Sequence, residues 1–358
     1  MASTFKLNNL QILRAFAAVA VVYYHTGFRF PHMDLFGSFG VDVFFVISGY
    51  IMARILDPAN QSSQFFLRRR ILRIVPPYWA LTLLLFLVAL RFPQMVGNTR
   101  PGAVELAKSL LFIPFTKYSW VIQPILFIGW SLNYEVFFYV ALAAGILINA
   151  RKKFPLGPIL PGSILVLLTM GISYFFRHGN VIARFYSRDI VFEFILGIIA
   201  YYICKLVASP GVLCRRGLLL ASAIACGAAL ITVQGLFPQL EAARVLALGI
   251  PSCLLVISCC LLSEAGWDAH WTLPVLIGDA SYILYLVHPY CEFFDDRIVA
   301  AHLRWLHIDT AIGAPIAIAF ALLVAIPLHL YAERPVMRFL NRRFCGKRVP
   351  TEFAQPVG

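Results

Sequence analysis

Ten stretches of about twenty mostly apolar residues recur along the chain: 9–28, 37–56, 74–92, 129–149, 159–176, 189–207, 217–235, 244–263, 275–293 and 311–331. A helix rises ~1.5 Å per residue, so each stretch is long enough to cross the ~30 Å hydrocarbon core of a bilayer. Of 358 residues, 60% are hydrophobic and only 13% charged, with a mean hydropathy of +0.80. A water-soluble fold cannot hide that much apolar surface. Only closed barrels and helices satisfy their own backbone in lipid, and stretches of this length are helices. The expected fold is therefore all-α, a polytopic membrane helix bundle of about ten transmembrane helices. It forms one domain over 1–333 with a short basic tail, 334–358. Residues 103–116 (AVELAKSLLFIPFT) predict a short helix lying at the surface. No internal repeat, low-complexity tract or soluble domain interrupts this pattern.

The net charge is +13. In a soluble protein that excess points to nucleic acid, but here the positive-inside tendency of membrane proteins accounts for it, and no nucleic-acid partner is expected. With the N-terminus in the cytoplasm, the inner segments hold Lys6, Arg68, Arg69, Arg70, Arg73, Arg151 to Lys153, Lys205, Arg215, Arg216 and six residues of the tail. The outer segments hold fewer: Arg29, Arg91, Arg100, Lys108, Lys117, Arg177, Arg184, Arg188, Arg244, Arg297 and Arg304. Both termini are therefore expected on the cytoplasmic side. The first apolar run is interrupted by Arg14 and ends in Tyr23, Tyr24 and His25 rather than in small residues, so it reads as a span and not as a cleaved signal. The eight cysteines form no Cys-x-x-Cys pair and no Cys/His set with zinc spacing, and most lie in apolar runs as small fillers. No metal is expected.

Ionisable residues inside spans are costly and mark candidate function. Arg14 and His25 are eleven residues apart in the first span, which puts them on one helix face, ~16 Å apart along the axis. Asp42 enters the second span, "FGVDVFFVISGYIM", at its outer end. Ser48 and Gly49 lie near its middle, a small pair that admits a neighbouring helix or an extended ligand. "FFLRRRILRIVPPYW" carries Arg68, Arg69, Arg70 and Arg73. Arg70 and Arg73 share a helix face and suit bidentate capture of phosphate, and Pro76 and Pro77 predict a break where the third span begins. "GWSLNYEVFFYV" brings Glu135 in from the outside, at the level expected for His25 and Asp42. A carboxylate there could orient an imidazole or pair with an arginine. "GDASYILYLVHPY" carries Asp279 near its inner end and His288 near its outer end. A cationic inner side with acid/base groups further out fits an enzyme that takes an anionic cytosolic donor. It also fits an anion transporter.

The pieces "LQILRAFAAVAVVYYH", "GVDVFFVISGYIM", "FFLRRRILRIVPPYW", "GWSLNYEVFFYV", "GDASYILYLVHPY" and "ERPVMRFL" occur in an order that resembles the integral-membrane acyltransferase family (acyltransferase 3 type) that O-acetylates bacterial polysaccharides. Within that family the chain is most similar to exopolysaccharide acetyltransferases of the succinoglycan-modifying kind. The resemblance implies acetyl-CoA as donor, a hydroxyl of an exopolysaccharide or lipid-linked glycan as acceptor, and a bacterial cytoplasmic membrane as location, with membrane lipids as surroundings. It implies catalytic roles for Arg14, His25 and Glu135; from its place in the second span, Asp42 is the other carboxylate expected to be able to orient His25. Arg70 and Arg73, helped by Arg68 and Arg69, would hold the donor's phosphates, with Ser48 and Gly49 along its pantetheine arm. Trp130, Asn133, Tyr139 and His288 are the expected acceptor contacts. The opening "LNNLQILRA" has Asn and Gln where many members begin with an acidic residue, and no extracytoplasmic hydrolase-like domain is expected after the last span. The rival readings are a transporter or flippase of an anionic glycolipid or metabolite, and an acyltransferase for a small molecule such as a macrolide. Against transport, no inverted repeat and no matched pair of Gly/Pro-broken spans is present.

Overall fold

The structure, a computed structural model, describes residues 7–26, 35–57, 61–93, 96, 102–119, 121–208, 211, 214–236, 243–294 and 310–345. Lys6, Arg29, Arg100, Arg297, Arg304, Lys347 and Arg348, counted above for orientation, lie outside these residues, as does the tail beyond 345. Helices occupy all ten expected places. They are α1 (Asn8–His25), α2 (Phe39–Leu56), α3 (Ser63–Arg91), α5 (Gly129–Arg151), α6 (Ile159–Phe176), α8 (Val191–Val207), α9 (Arg216–Leu236), α10 (Ile250–Glu264), α11 (Thr272–Phe294) and α12 (Thr310–Leu328). Two short helices, α4 (Ala103–Leu110) and α7 (Val181–Tyr186), lie between them.

Among the described residues, seven helices are long and apolar enough by themselves to cross a membrane: α2, α3, α5, α6, α9, α10 with the π-helical turn Val245–Gly249 ahead of it, and α12 with its continuation. Among the ten expected spans the other three are α1, α8 and α11. They carry Arg14 and His25, Glu193, and Asp279 with His288. Helix α8 is strongly apolar but only 17 residues long. Of these polar side chains, Arg14, Glu193 and His288 are buried inside the protein and His25 is half-exposed at a helix contact.

Two local expectations need correction. Pro76 and Pro77 do not break the chain: α3 begins at a Ser62 cap, whose side chain accepts from the Phe65 N–H at 3.2 Å, and runs through both prolines to Arg91. Proline removes its own N–H and so releases the carbonyl four residues earlier, a local loss that a long helix in a packed bundle absorbs. The arginine run is thus helical, not a loop. The surface helix at 103–116 ends at Leu110: Phe112 takes a left-handed conformation (φ 57°), and Thr116–Tyr118 then pairs antiparallel with Val121–Ile122 in a short hairpin, β1 with β2. The basic tail begins as a helix continuous with α12. A π-helical turn, His329–Glu333, carries it into a basic helix α13 (Arg334–Cys345).

The described chain forms two compact units. One draws on Met1–Ile51 and Phe192–Val336, the other on Met52–Val191 and Met337–Lys347. The first has a core of Leu10, Leu13, Ala17, Phe39, Val43, Val46, Tyr50, Leu248, Val256 and Leu261. Its small residues set how close the helices come. A Cβ on Gly49 would strike the carbonyl oxygen of Phe194, and one on Gly197 would strike that of Val46, so α2 and α8 cross backbone on backbone. In the second unit α3, α5, α6 and α7 pack together. Tyr134 stacks on Phe185 (centroids 4.2 Å apart) and donates its hydroxyl to the Phe185 carbonyl.

Candidate active site

In the first unit α1 lies along α11. The capping residue of α1, Leu7, offers no side-chain acceptor, and the cap comes from the far end of the sequence. Asp268 accepts from the N–H groups of Asn8 and Asn9, both at 3.0 Å, and Asn9 donates to the Trp267 carbonyl at 2.7 Å. A carboxylate at a helix N-terminus satisfies orphan donors and faces the positive end of the helix dipole. The acid absent from the opening stretch is thus supplied through space. Gly278 lets α11 touch the backbone of Gln11, where a Cβ would collide with the Gln11 carbonyl. Arg14, only 6% exposed, donates to Gln11 Oε1 at 3.1 Å and to Ser281 Oγ at 2.8 Å. Arg14 therefore ties α1 to the "GDAS" turn of α11.

Further along, His25 meets His288. Both Arg14 and His25 contact α11, as expected of residues sharing one face. His25 Nδ1 lies 2.9 Å from the Val21 carbonyl oxygen and 3.3 Å from His288 Nε2. His288 Nδ1 lies 3.2 Å from the Leu284 carbonyl. Carbonyls only accept, so each neutral ring carries its proton on Nδ1, which leaves the basic lone pair on Nε2 in both rings. Glu292, one turn beyond His288, brings Oε1 to 3.9 Å from His288 Nε2. Donor atoms of His25, His288 and Glu292 all lie within 4.8 Å of one another. Sequence reading passed over Glu292, although the His-x-x-x-Glu spacing that puts both on one helix face was there to find. The same spacing recurs at His329 and Glu333, paired at 2.5 Å in the π-helical turn, next to an Arg334–Asp279 bridge at 3.3 Å.

Asp42, fully buried, is held by Arg244. Its two oxygens accept from Nε at 2.8 Å and Nη2 at 2.6 Å, and Glu193, also fully buried, stands 3.7 Å from the same Nε. This bidentate pair joins α2 to the turn before α10. Ser48 is buried beside Gly49, whose open side is filled by α8.

In the second unit α3 and α5 run antiparallel. Ser63 Oγ donates to the Ala143 carbonyl at 2.8 Å, the Phe66 and Tyr139 rings meet edge to face at 6.3 Å, and Gly129 sits against the Tyr78 ring. This register places Glu135 at the level of Arg70 and Arg73. Glu135 accepts from the Tyr139 hydroxyl at 2.5 Å, and Tyr139 lies in the field of both arginines. Glu135 therefore stands with the arginines of its own unit. Arg70 is buried. Arg68 donates to the Phe344 carbonyl at 2.9 Å and Arg69 lies 5.7 Å from the Phe65 ring centre. Asn133 is buried with its amide oxygen lacking a donor among the described residues, one residue before Tyr134, whose ring packs edge to face on Trp130.

Residues 7–330 match the model of an acyltransferase domain, acyltransferase 3. The chain is 32% identical to the exopolysaccharide production protein ExoZ of Rhizobium meliloti (strain 1021), covering 88% of this chain and 94% of the relative. It is 25% identical to the acyltransferase MdmB of Streptomyces mycarofaciens over 94% of this chain and 93% of the relative. A 99-residue stretch is 33% identical to the peptidoglycan O-acetyltransferase OatA of Listeria monocytogenes, but covers only 15% of that protein. No solved structure matches the chain. The buried polar groups lie in a membrane-type helix bundle matched nearly end to end by the family model, and the chain belongs to the acyltransferase 3 family of membrane acyltransferases.

Proposed function

We propose that the protein moves an acetyl group from cytosolic acetyl-CoA to a hydroxyl of an exopolysaccharide or lipid-linked glycan in the bacterial cytoplasmic membrane, with His25 as general base. The observation that carries this reading is the tautomer of His25: with Nδ1–H directed at the Val21 carbonyl, Nε2 is the nitrogen that can take a proton. Similarity to an exopolysaccharide production protein along almost the whole chain supports the acceptor class. The positive-inside bias supports cytosolic termini, the side on which acetyl-CoA is made available.

The step balances without an outside proton. His25 Nε2 takes the proton of the acceptor hydroxyl as the oxygen attacks the thioester carbonyl. The C–O bond forms, the C–S bond breaks, and the proton passes from His25 to the departing CoA thiolate. Arg70 and Arg73 are assigned to the donor's phosphates, a charge-assisted grip that guanidinium geometry favours. Arg68 and Arg69 add to the positive field there. Glu135 and Tyr139 are assigned to the same side, as groups that hold Arg70 and Arg73 in place. Asn133 and Trp130 remain assigned to the acceptor, and a buried amide oxygen fits recognition of a sugar hydroxyl. Arg14, Asp42, Ser48 and Gly49 act as the framework that fixes the helices around His25.

The test is reconstitution. Purified protein in liposomes, given acetyl-CoA labelled in the acetyl group and the host's exopolysaccharide intermediates, should yield O-acetylated glycan visible by NMR. Movement of an unmodified glycolipid across the bilayer with no acetyl transfer would favour the transporter instead.

A further inference from the structure

Resting on the assignment of His25 as base, we infer that His288 is its positioning residue and Glu292 the counter-charge of the pair. His288, fully buried in α11, presents an unprotonated Nε2 to the Nδ1–H of His25 at 3.3 Å, because its own Nδ1–H is directed at Leu284. His25 thus has two acceptors for one N–H, the Val21 carbonyl from its own helix and an imidazole from the neighbouring one. The backbone carbonyl alone fixes the tautomer. The second acceptor fixes where the ring stands and strengthens its hold on Nδ1–H as positive charge develops on the ring. Glu292 completes the arrangement: its carboxylate, 3.9 Å from His288 Nε2, lies within 4.8 Å of the donor atoms of both rings. The proton that arrives at His25 Nε2 then creates an imidazolium whose partners are a carbonyl, a neutral imidazole and a nearby anion. When the proton leaves for the thiolate, all three return to their starting state. This places His288 behind the base and not among the acceptor's contacts.

Among the described residues, the titratable groups beside the pair include Tyr24, Tyr285 and Glu292. Tyr24 has its ring 4.8 Å from that of His25, Tyr285 has its ring 5.8 Å from that of His288, and Glu292 lies behind. Helix α12, packed along α11, has no ionisable side chain between 310 and 328. A proton on His288 Nε2 would turn the acceptor into a donor facing another donor and switch the base off.

The experiment is a steady-state and pH-rate comparison of His288→Leu, His288→Gln, Glu292→Gln and His25→Ala in reconstituted protein with acetyl-CoA and glycan acceptor. His288→Leu should lower kcat by about 10-fold or more, part of the ~10²–10⁴ that a general base supplies, with KM for both substrates unchanged. In His288→Gln an amide oxygen replaces the Nε2 acceptor and cannot titrate, so much of kcat should return and the acid limb of the pH profile should become less steep. Glu292→Gln should move the acid limb to lower pH, because the substitution removes an anion that favours positive charge on the paired rings. An acid limb that stayed in place or moved to higher pH would deny Glu292 the role of counter-charge. Raised KM with normal kcat in His288→Leu would return His288 to the acceptor site and overturn the proposal. Equal loss in the Leu and Gln variants with an unchanged pH profile would reduce His288 to packing, and activity removed by a chelator and restored by zinc would make the cluster a metal site. An active His25→Ala would instead defeat the reading of the base itself, so the two failures are distinct.

Discussion

Arg14 and Ser281 meet in the interior between α1 and α11, the guanidinium Nη2 donating to the serine hydroxyl at 2.8 Å across 267 residues of sequence. The contact fixes the position of the helix that carries His25. A buried cation that loses an acceptor keeps its desolvation cost. Ser281→Ala should therefore destabilise the protein by about 2 kcal/mol, lowering its midpoint of thermal unfolding in detergent. Ser281→Thr, which keeps the hydroxyl, should lie closer to wild type. An unshifted midpoint in Ser281→Ala would mean that Arg14 is held elsewhere.

The α2–α8 crossing depends on two glycines touching across the interface. Gly49→Ala and Gly197→Ala each push a methyl into a backbone carbonyl and should cost about 1–3 kcal/mol. Gly171 in α6 has open space where a Cβ would go, so Gly171→Ala should be neutral or gain up to ~1 kcal/mol from helix propensity. Unfolding midpoints of the three variants settle this, and equal behaviour at all three positions would contradict the crossing.

Lys117, in strand β1, donates to the Ile125 carbonyl at 3.0 Å, and burial pulls its ammonium down from the ordinary 10.5 to about 8. Between these two values the unfolded chain holds a proton that the folded chain has released, so stability should rise with pH across that window. Below about 8 both states are charged and the cost of burial is fully present. Unfolding midpoints measured from pH 7 to 10 should climb in wild type and climb less in Lys117→Met, and parallel curves would show that Lys117 is charged in the folded protein throughout.

Arg70 and Arg73 are assigned to the donor's phosphates, and charge-assisted hydrogen bonds are worth ~1.5–3 kcal/mol each. Arg70→Ala with Arg73→Ala should raise KM for acetyl-CoA by at least ~10-fold while leaving KM for the glycan alone. Glu135→Gln should show a weaker form of the same donor-specific effect, because Glu135 stands level with the arginines. A glycan-specific effect of Glu135→Gln would move that residue to the acceptor.

Helix positions were legible because a membrane span declares itself within twenty residues, and Arg14 and His25 could be put on one face by counting. What stayed hidden was pairing at a distance. Nothing near Asn8 announces Asp268 as its cap, and nothing near Asp42 announces Arg244, because each pair is formed only when helices far apart in sequence pack together. Glu135 was placed by its depth in α5 alone, and only the antiparallel register with α3 brings it to the arginines. Ser48 and Gly49 left ligand and helix contact open, since a small residue admits either, and α8 takes the space beside Gly49. The prolines of α3 misled for a local reason: the rule that proline ends helices weakens where a long helix is held on several sides.

The most direct test of the account is the turnover number of His25→Ala, measured with acetyl-CoA and glycan acceptor in liposomes containing a verified amount of folded protein. With the base gone, kcat should fall by ~10²–10⁴ while KM for acetyl-CoA stays near the wild-type value. A well-folded His25→Ala protein that acetylates its acceptor at close to the wild-type rate would contradict the central claim.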